Sequence, residues 1–226
     1  MRVLRLLLLL SIPLFCASGR SESSRKPKKE PSTTILALGD SITEGGKESF
    51  SYLSDLRRKL QKAGFHVNFI GPKQQNNGIH HAGYSGQTVE FLATHLDSIY
   101  REYPADVVLI HSGHNHFVDE KPVPGMVNAY KEIIKNLKQI NPDVTILIAQ
   151  VIGSGKLPKY SYIPELNKEI AVMVKMYNDP RLILVDQFSP FDWRKYTIAD
   201  HVHPNQKGAE LMAKVWFKAL VKVLSK

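Results

Sequence analysis

A serine near the start of this sequence and an aspartate–histidine pair near its end could together support nucleophilic catalysis. Ser41 follows an apolar run at positions 35–38 that ends at Gly39. Asp200 and His203 lie three residues apart near the carboxyl end. A serine hydroxyl becomes a useful nucleophile only when a base takes its proton, and a carboxylate can hold that base in the required tautomer. These three side chains form a candidate catalytic triad.

The residues around the histidine favour its role as the base. Pro204 disfavours helical backbone at the residue before it, so we expect His203 to be extended at the start of the last predicted helix. Asp200 is then near enough, in a tight turn, to reach the imidazole ring. Two structural interpretations stay open here: Ser41 could act only as a helix N-cap, and Asp200 and His203 could only cap the last helix.

Four sequence blocks, taken in order, resemble those of the SGNH (GDSL-type) hydrolases. The blocks are Gly39-Asp40-Ser41, Gly86 within residues 84–88, Asn115 within Gly113-His114-Asn115, and Asp200-x-x-His203. The resemblance covers the chain from residue 34 onward, and it implies a flavodoxin-like α/β fold. No Gly-x-Ser-x-Gly sequence occurs, which argues against the common α/β-hydrolase arrangement.

The resemblance also implies a role for each matching residue. It implies a triad of Ser41, His203 and Asp200, and an oxyanion hole made by the backbone N–H groups of Ser41 and Gly86 and the side-chain amide of Asn115. Glycine lets a backbone amide come close to a reacting carbonyl, and an asparagine amide remains a donor at any pH. As alternatives, Gly86 could be only a turn glycine and Asn115 only a loop cap.

The chain departs from the family pattern at position 116. The family usually has an aspartate after the asparagine, whereas His116 stands here, which leaves open the hydrogen bonding that positions Asn115. His111, His114 and His116 could also suggest a zinc site. Because no His-Glu-x-x-His occurs and the one cysteine, Cys16, lies in a predicted signal segment, we expect no metal and no cofactor.

Apolar runs and helical periodicity predict the elements that must position these residues. Five strands are predicted at about 34–38, 67–70, 106–110, 144–149 and 182–185. The predicted helices are one that buries Phe50, Leu53, Leu56 and Leu60, and others at about 89–103, 126–139, 164–177 and 206–224. Strands separated by helices indicate an α/β fold of three layers, α/β/α, with a five-stranded parallel sheet. Residues 71–87 are predicted to be a long loop, a length that is often functional.

The amino terminus predicts the compartment. Residues 1–19 have two arginines, an apolar run at 6–15 and small residues after it, which is the pattern of a secretory signal peptide. The run is shorter than the about 20 residues that a membrane-spanning helix needs. Residues 20–33 hold no hydrophobic residue and are predicted to be a flexible linker, with the hydrolase domain at 34–226. We expect a secreted or periplasmic protein without a stable membrane anchor.

The formal net charge of +9 does not predict a nucleic-acid partner. The basic residues are spread over the amino-terminal segment and helix surfaces, with no interleaved aromatic residues. In the last helix, for example, lysines recur every four residues on the predicted outer face (Lys214, Lys218, Lys222 and Lys226). We expect a monomer, whose basic surface could attract acidic glycans without specificity.

These features together predict a serine esterase that forms an acyl-Ser41 intermediate. Residues 39–45 and 81–88 look most like those of carbohydrate acetylesterases of the acetyl-xylan-esterase kind, which implies a small-molecule or polysaccharide ester as substrate. Tyr84, Phe117 and Trp193 could form a sugar platform or belong to the core or rim. Because fold does not fix substrate, a lysophospholipase, a thioesterase, a short-chain arylesterase and a catalytically silent glycan-binding protein remain alternatives.

Overall fold

A computed structural model describes residues 32–225 of the chain. The predicted signal segment at 1–19 and residues 20–31 of the predicted linker lie outside the described residues. The first strand begins at Thr33, so the last residue assigned to the linker belongs to the sheet. Within the described part of the chain, no helix is both long and apolar enough to cross a membrane.

The centre of the fold is a parallel sheet. The strands are β1 (Thr33–Gly39), β2 (Val67–Ile70), β3 (Lys73–Gln74), β4 (His80–Gly83), β5 (Val107–His111), β6 (Thr145–Gln150) and β7 (Leu182–Asp186). Five of them are parallel in the order β2-β1-β5-β6-β7. This is the flavodoxin-like order, with the chain reversing direction across the sheet at β1. The predicted α/β fold and its five parallel strands are confirmed, but the sheet has seven strands because β3 and β4 extend it.

The prediction of a loop over residues 71–87 is wrong in part, because this segment contains β3 and β4. β4 runs parallel to the last residues of β1, with Gly39 opposite Gly83, and β3 pairs with β4 in the antiparallel sense. The sequences of β3 (Lys-Gln) and β4 (His-His-Ala-Gly) contain neither an apolar run nor an apolar alternation, so neither strand is predicted. Their consequence for the site is that residues 84–88 begin beside the carboxyl end of β1.

Helices cover both faces of the sheet. They are α1 (Ser41–Glu44), α2 (Leu53–Lys62), α3 (Val89–Glu102), α4 (Val123–Ile140), α5 (Ile163–Tyr177), α6 (Trp193–Tyr196) and α7 (Gln206–Leu224), with a 3-10 turn at Val118–Glu120. One core joins the sheet to α3, α4 and α5, and the other joins it to α2 and α7. Strand β1 contributes Leu36 and Leu38 to the first core and Ile35 and Ala37 to the second. Because β1 is buried on both faces, its sequence contains a continuous run of apolar residues at 35–38.

Two helix starts differ from the predictions. α4 begins at Val123, three residues earlier than expected, with Pro124 in its first turn, where a missing N–H breaks no helical bond. α2 begins at Leu53, so Phe50 precedes the helix and is exposed to solvent instead of belonging to its buried stripe. The apolar spacing that includes Phe50 therefore starts about one turn before the first residue of α2.

Candidate active site

The turn between β1 and α1 presents Ser41 at the carboxyl edge of the sheet, where open α/β sheets bind ligands. Asp40 is the N-cap of α1, and its Oδ1 accepts the Ile42 N–H at 2.9 Å. The capping role therefore belongs to Asp40, which leaves the Ser41 hydroxyl available for other partners. A Cβ at Gly39 would overlap both the Thr43 side chain and the His111 carbonyl, so no larger residue fits there.

Ser41, His203 and Asp200 form one chain of hydrogen bonds. His203 Nε2 lies 2.8 Å from Ser41 Oγ, and His203 Nδ1 lies 2.5 Å from Asp200 Oδ2. The other carboxylate oxygen accepts the backbone N–H groups of Val202 and His203 at 2.9 and 3.0 Å. Partial burial raises the pKa of Asp200, but these hydrogen bonds outweigh it and hold the pKa below its usual value. Asp200 is therefore ionised and aligned to orient the imidazole.

The alternative in which Asp200 and His203 only cap the last helix is wrong. The N-cap of α7 is Asn205, whose Oδ1 accepts the Gly208 N–H at 3.0 Å. Its amide nitrogen also donates to the carbonyls of Lys195 and Thr197. The segment between α6 and α7 is thus closed by Asn205, and the aspartate–histidine pair is left to face Ser41.

The turn that carries Asp200 and His203 is also fastened to the loop after β6. The carbonyl of His201 accepts hydrogen bonds from Ser154 Oγ at 2.9 Å and from the Gly155 N–H at 2.8 Å. His201 itself has φ +59°, in the left-handed region. Two hydrogen bonds from the loop after β6 therefore hold this turn in place.

The structure brings the other two predicted blocks to the same edge of the sheet. Gly39, at the end of β1, lies opposite Gly83 of β4 on one side and opposite His111 of β5 on the other. Residues 84–88 and 112–116 therefore leave neighbouring strands on either side of the β1–α1 turn. The sheet register alone makes these segments neighbours of Ser41.

Three hydrogen-bond donors in these segments are available for a ligand. Within residues 32–225, neither the Ser41 nor the Gly86 backbone N–H has an acceptor. Gly86 has φ +76°, a conformation that glycine adopts without strain. Asn115 Nδ2 donates to the Gln87 carbonyl at 2.9 Å, and because an amide carries two N–H donors, one remains for a ligand.

Glu44 supports this arrangement and was not identified from the sequence. Its Oε2 accepts the Ser85 N–H at 2.7 Å, and its Oε1 forms an ion pair with Lys73. Burial raises the pKa of Glu44, but Lys73 and the hydrogen bonds from Ser85 hold it below its usual value. The carboxylate thus holds the residue before Gly86 against the end of α1. Because Ser85 is 41 residues from Glu44, no local sequence pattern predicts this contact.

Two histidines lie buried beneath the Ser41 turn. His114 Nδ1 is 3.7 Å from Asp40 Oδ2, too far for a hydrogen bond, so we treat the pair as an electrostatic contact. His111 accepts the Ile152 N–H, and burial lowers its pKa to about 4. Burial by itself raises the pKa of Asp40, yet the two histidines and its capping bond hold it below the usual value. Across residues 32–225, no set of three or more His, Cys, Asp or Glu side chains could hold a metal ion.

His116, the residue that departs from the family pattern, bridges two carboxylates. Its Nδ1 lies 2.7 Å from Glu120 Oε2 and its Nε2 lies 3.0 Å from Glu90 Oε2. Both ring nitrogens must donate in such a bridge, which requires the protonated ring. Burial lowers the pKa of His116, but the two carboxylates raise it above its usual value. His116 therefore fastens the segment after Asn115 to α3, with a charge opposite to that of the usual aspartate.

The three aromatic residues considered as a sugar platform have separate packing partners. Those partners are Phe91 and Lys73 for Tyr84, Lys159 for Phe117, and Arg194 and His201 for Trp193. Trp193 also packs on Gly155, where an added Cβ would overlap the indole ring. The three rings therefore contact different partners and do not stack together as one shared platform.

Known proteins resemble this chain in sequence and in fold. A multidomain esterase from Ruminococcus flavefaciens is 27% identical over 223 residues, covering 82% of this chain and 28% of that protein, so the chain spans less than a third of that relative. A carbohydrate esterase of family 3 from Talaromyces cellulolyticus has a similar fold, with a TM-score of 0.76, 20% identity, and coverage of 85% of this chain and 98% of that one. The family 3 carbohydrate esterase of Clostridium thermocellum gives a TM-score of 0.73 and 25% identity, with coverage of 86% and 98%.

The family match extends over most of the described domain. It runs from residue 37 to residue 211 and includes all four sequence blocks that meet at the carboxyl edge of the sheet. Those blocks contain the Ser41–His203–Asp200 chain and the unpaired donors beside it. The chain belongs to the GDSL-like lipase/acylhydrolase family.

Proposed function

We propose that this protein is a serine esterase that hydrolyses acyl esters, with acetyl esters of carbohydrates as its substrates. The observation that carries the proposal is the hydrogen-bonded chain from Ser41 Oγ through His203 to Asp200. An ionised carboxylate, an oriented imidazole and a hydroxyl in this order make up the machinery of acyl transfer. The family match independently supports an ester as the bond that is attacked.

In the proposed acylation step, Ser41 Oγ attacks the carbonyl carbon of the ester while His203 Nε2 takes the hydroxyl proton. The negative charge that develops on the carbonyl oxygen is stabilised by the N–H groups of Ser41 and Gly86 and by Asn115 Nδ2. Collapse of the tetrahedral intermediate breaks the bond to the alcohol oxygen. His203 returns its proton to that oxygen, so the alcohol leaves neutral and the acyl group stays on Ser41.

Deacylation repeats the same proton transfers with water as the nucleophile. His203 takes a proton from water as its oxygen attacks the acyl carbon, and the same three donors stabilise the second oxyanion. Breakage of the bond to Ser41 Oγ returns the proton to that oxygen and releases the carboxylic acid. Asp200 keeps the ring oriented and stabilises the imidazolium in both steps without itself taking the proton.

The preference for carbohydrate acetyl esters rests on the resemblance of residues 39–45 and 81–88 and on the fold shared with family 3 carbohydrate esterases. The proposal also includes export from the cell, which rests on residues 1–19 alone. Activity that rises with acyl chain length on p-nitrophenyl esters would instead support the lysophospholipase or thioesterase alternative. Acetate release from acetylated oligosaccharides separates these substrate classes.

The test of the proposed function compares the natural chain with Ser41→Ala. We expect the variant to lose at least about 10³-fold in kcat on p-nitrophenyl acetate, as removal of a triad nucleophile usually does. Ser98→Ala is a matched control, because Ser98 bonds only to the His95 carbonyl on the exposed surface of α3. Equal rates for Ser41→Ala and the natural chain would overturn the proposed nucleophile.

A further inference from the structure

A polar groove lies beside the candidate active site. It encloses about 540 Å³ and is lined by parts of residues 44–55 and 75–77 and by Gln206. We propose that this surface, the Phe50 groove, binds the oligosaccharide chain that carries the scissile ester. The inference rests on the proposed esterase function and assigns the part of the protein that recognises the sugar.

The position of the groove links it to both ends of the candidate triad. The Gly45 N–H donates to the Ser41 carbonyl at 2.8 Å, so the groove wall begins one helical turn beyond Ser41. On the opposite side, the Phe50 N–H donates to the carbonyl of Pro204, the residue after His203, at 3.1 Å. The groove therefore adjoins the two segments that carry Ser41 and His203, although neither of these residues is part of its lining.

The wall of the groove presents mostly amides and hydroxyls, and Lys47 is its one charged side chain without an ion-pair partner within residues 32–225. Its uncharged polar side chains are those of Gln75, Asn76, Asn77, Gln206, Ser49, Ser51 and Ser54. Its two carboxylates are already neutralised, Glu44 by Lys73 and Asp55 by Arg58. Amides and hydroxyls both donate and accept hydrogen bonds, as sugar hydroxyls do.

The same wall is unsuited to an acyl chain. Pockets for apolar ligands are lined predominantly by hydrophobic and aromatic side chains. In the Phe50 groove, the only large apolar side chain is that of Phe50 itself. The lining therefore favours a polyhydroxylated ligand over the tail of a lysophospholipid.

Phe50 supplies the one feature that a polar wall lacks, a flat apolar surface. Its side chain is 45% exposed, and none of the residues 32–225 stacks on it or places a cation over it. Phe117, by contrast, is exposed but has the Lys159 ammonium 4.2 Å from its ring centroid. The face of an aromatic ring can pack against the C–H face of a sugar ring, and this contact buries apolar surface of both rings.

The test measures how far the enzyme prefers an oligosaccharide to a minimal ester. The preference is the kcat/KM for acetate release from acetylated xylotetraose divided by that for p-nitrophenyl acetate. We expect Phe50→Ala to lower this preference about tenfold, the loss typical of one interface anchor, and Asn76→Ala to lower it less. Tyr177→Ala is the matched control, because it removes an exposed aromatic ring at the end of α5, outside the groove lining.

Each outcome decides between occupants of the groove. An unchanged preference in Phe50→Ala, or a larger loss in Tyr177→Ala, would overturn the proposal. A loss in Phe50→Ala on p-nitrophenyl octanoate that exceeds its loss on acetylated xylotetraose would assign the groove to the acyl chain and also overturn it.

A binding measurement separates the groove from the proposed chemistry. Xylotetraose without acetyl groups is titrated calorimetrically into Ser41→Ala and into the Ser41→Ala, Phe50→Ala double variant. We expect the double variant to bind at least about tenfold more weakly, and no binding to either would overturn the groove assignment. If the natural chain and Ser41→Ala hydrolyse esters equally, the esterase proposal fails, while this titration still reports on the groove.

Discussion

Asn115 lies between two histidines with opposite environments. His114 is buried beside the Asp40 carboxylate, whereas His116 is held between two carboxylates near the surface. Asn115 has φ +72°, in the left-handed region that asparagine enters more readily than most residues. Its amide is thus positioned from both sides, by a contact to the β1–α1 turn and by a contact to α3.

The first prediction at the residue scale concerns the Asn115 amide. Asn115→Gly keeps the left-handed backbone accessible but removes the donor, so we expect kcat on p-nitrophenyl acetate to fall about 10²–10³-fold. KM should change little, because the charge that the amide stabilises develops only in the transition state. Asn115→Asp keeps the shape but places a negative charge there, and should lose at least as much. A kcat near that of the natural chain in Asn115→Gly would exclude Asn115 from the oxyanion hole.

A second prediction concerns the pH range in which the His116 bridge stabilises the fold. The folded-state pKa of His116 is raised, so its contribution is complete below about pH 6.5 and is lost as the pH rises through the raised value. The pKa of Glu120 is lowered, so its contribution is complete above about pH 4.5 and is lost as the pH falls through the lowered value. We expect His116→Gln to lower Tm most between these two pH values, by about 3 °C.

Thermal denaturation between pH 4 and pH 9 measures this difference. His95→Gln is the matched control, because His95 bonds to the Phe91 carbonyl and has no carboxylate partner within residues 32–225. Its Tm difference from the natural chain should show no such window. A His116→Gln difference that is constant across the pH range would mean that the bridge does not contribute through its charges.

At the scale of the elements, the start of α7 holds the candidate base in place. Asn205 lies two residues after His203, caps α7 with its Oδ1, and donates from Nδ2 to the carbonyls of Lys195 and Thr197 at 2.9 and 3.1 Å. One side chain thus joins α6, the turn that contains His203, and α7. Substitutions at Asn205 can separate the cap from the two donated hydrogen bonds.

We expect Asn205→Ala to lower the free energy of unfolding by about 2 kcal/mol, because it removes both a helix cap and two donated hydrogen bonds, one of them partly buried. Asn205→Asp keeps an acceptor for the Gly208 N–H but cannot donate to the two carbonyls, so its loss should be smaller. Urea denaturation measures both variants. If Asn205→Ala were as stable as the natural chain, the side chain would not join these elements.

The same scale shows which elements the sequence could predict. The five predicted strands are rich in apolar residues and the long helices have a clear apolar period, so both are predicted within a few residues. β3, β4 and α6 have two to four residues each and contain no run of apolar residues, so no sequence pattern predicts them. Phe50 was misassigned because apolar spacing alone does not mark where a helix begins; the first turn of α2 starts at Leu53.

The residues of the candidate site also fall into two groups, those that a sequence pattern can identify and those that it cannot. Ser41, Gly86, Asn115 and the Asp200–His203 pair follow strands or precede a helix, so a family pattern in the sequence can identify them, and the structure brings them to one sheet edge. The contact of Glu44 with Ser85 and that of His116 with Glu90 join residues 41 and 26 positions apart. Such pairings are set by the sheet register and by helix packing, which no local pattern contains.

At the scale of the whole molecule, more than half of the net charge lies outside the described fold. Residues 1–31 hold seven basic and two acidic residues and thus +5 of the net +9. The chain has one cysteine, so no intramolecular disulfide can stabilise it. The two apolar cores on either side of the sheet must therefore provide most of the stability.

Adjacent residues of β6 test whether both cores contribute. Leu147 packs into the core with α2 and α7, and Ile148 packs into the core with α3, α4 and α5, and both side chains are fully buried. We expect Leu147→Ala and Ile148→Ala each to lower the free energy of unfolding by about 2–5 kcal/mol, because each opens a cavity in a closed layer.

Urea denaturation measures these losses, with Lys131→Ala on the exposed side of α4 as a control that should change stability by less than about 0.5 kcal/mol. A reducing agent should leave the Tm of the natural chain unchanged. If only one of the two β6 substitutions were costly, the other face of the sheet would not be a packed layer. The carboxyl ends of the strands would then lack the two-sided support that holds Ser41 beside His203.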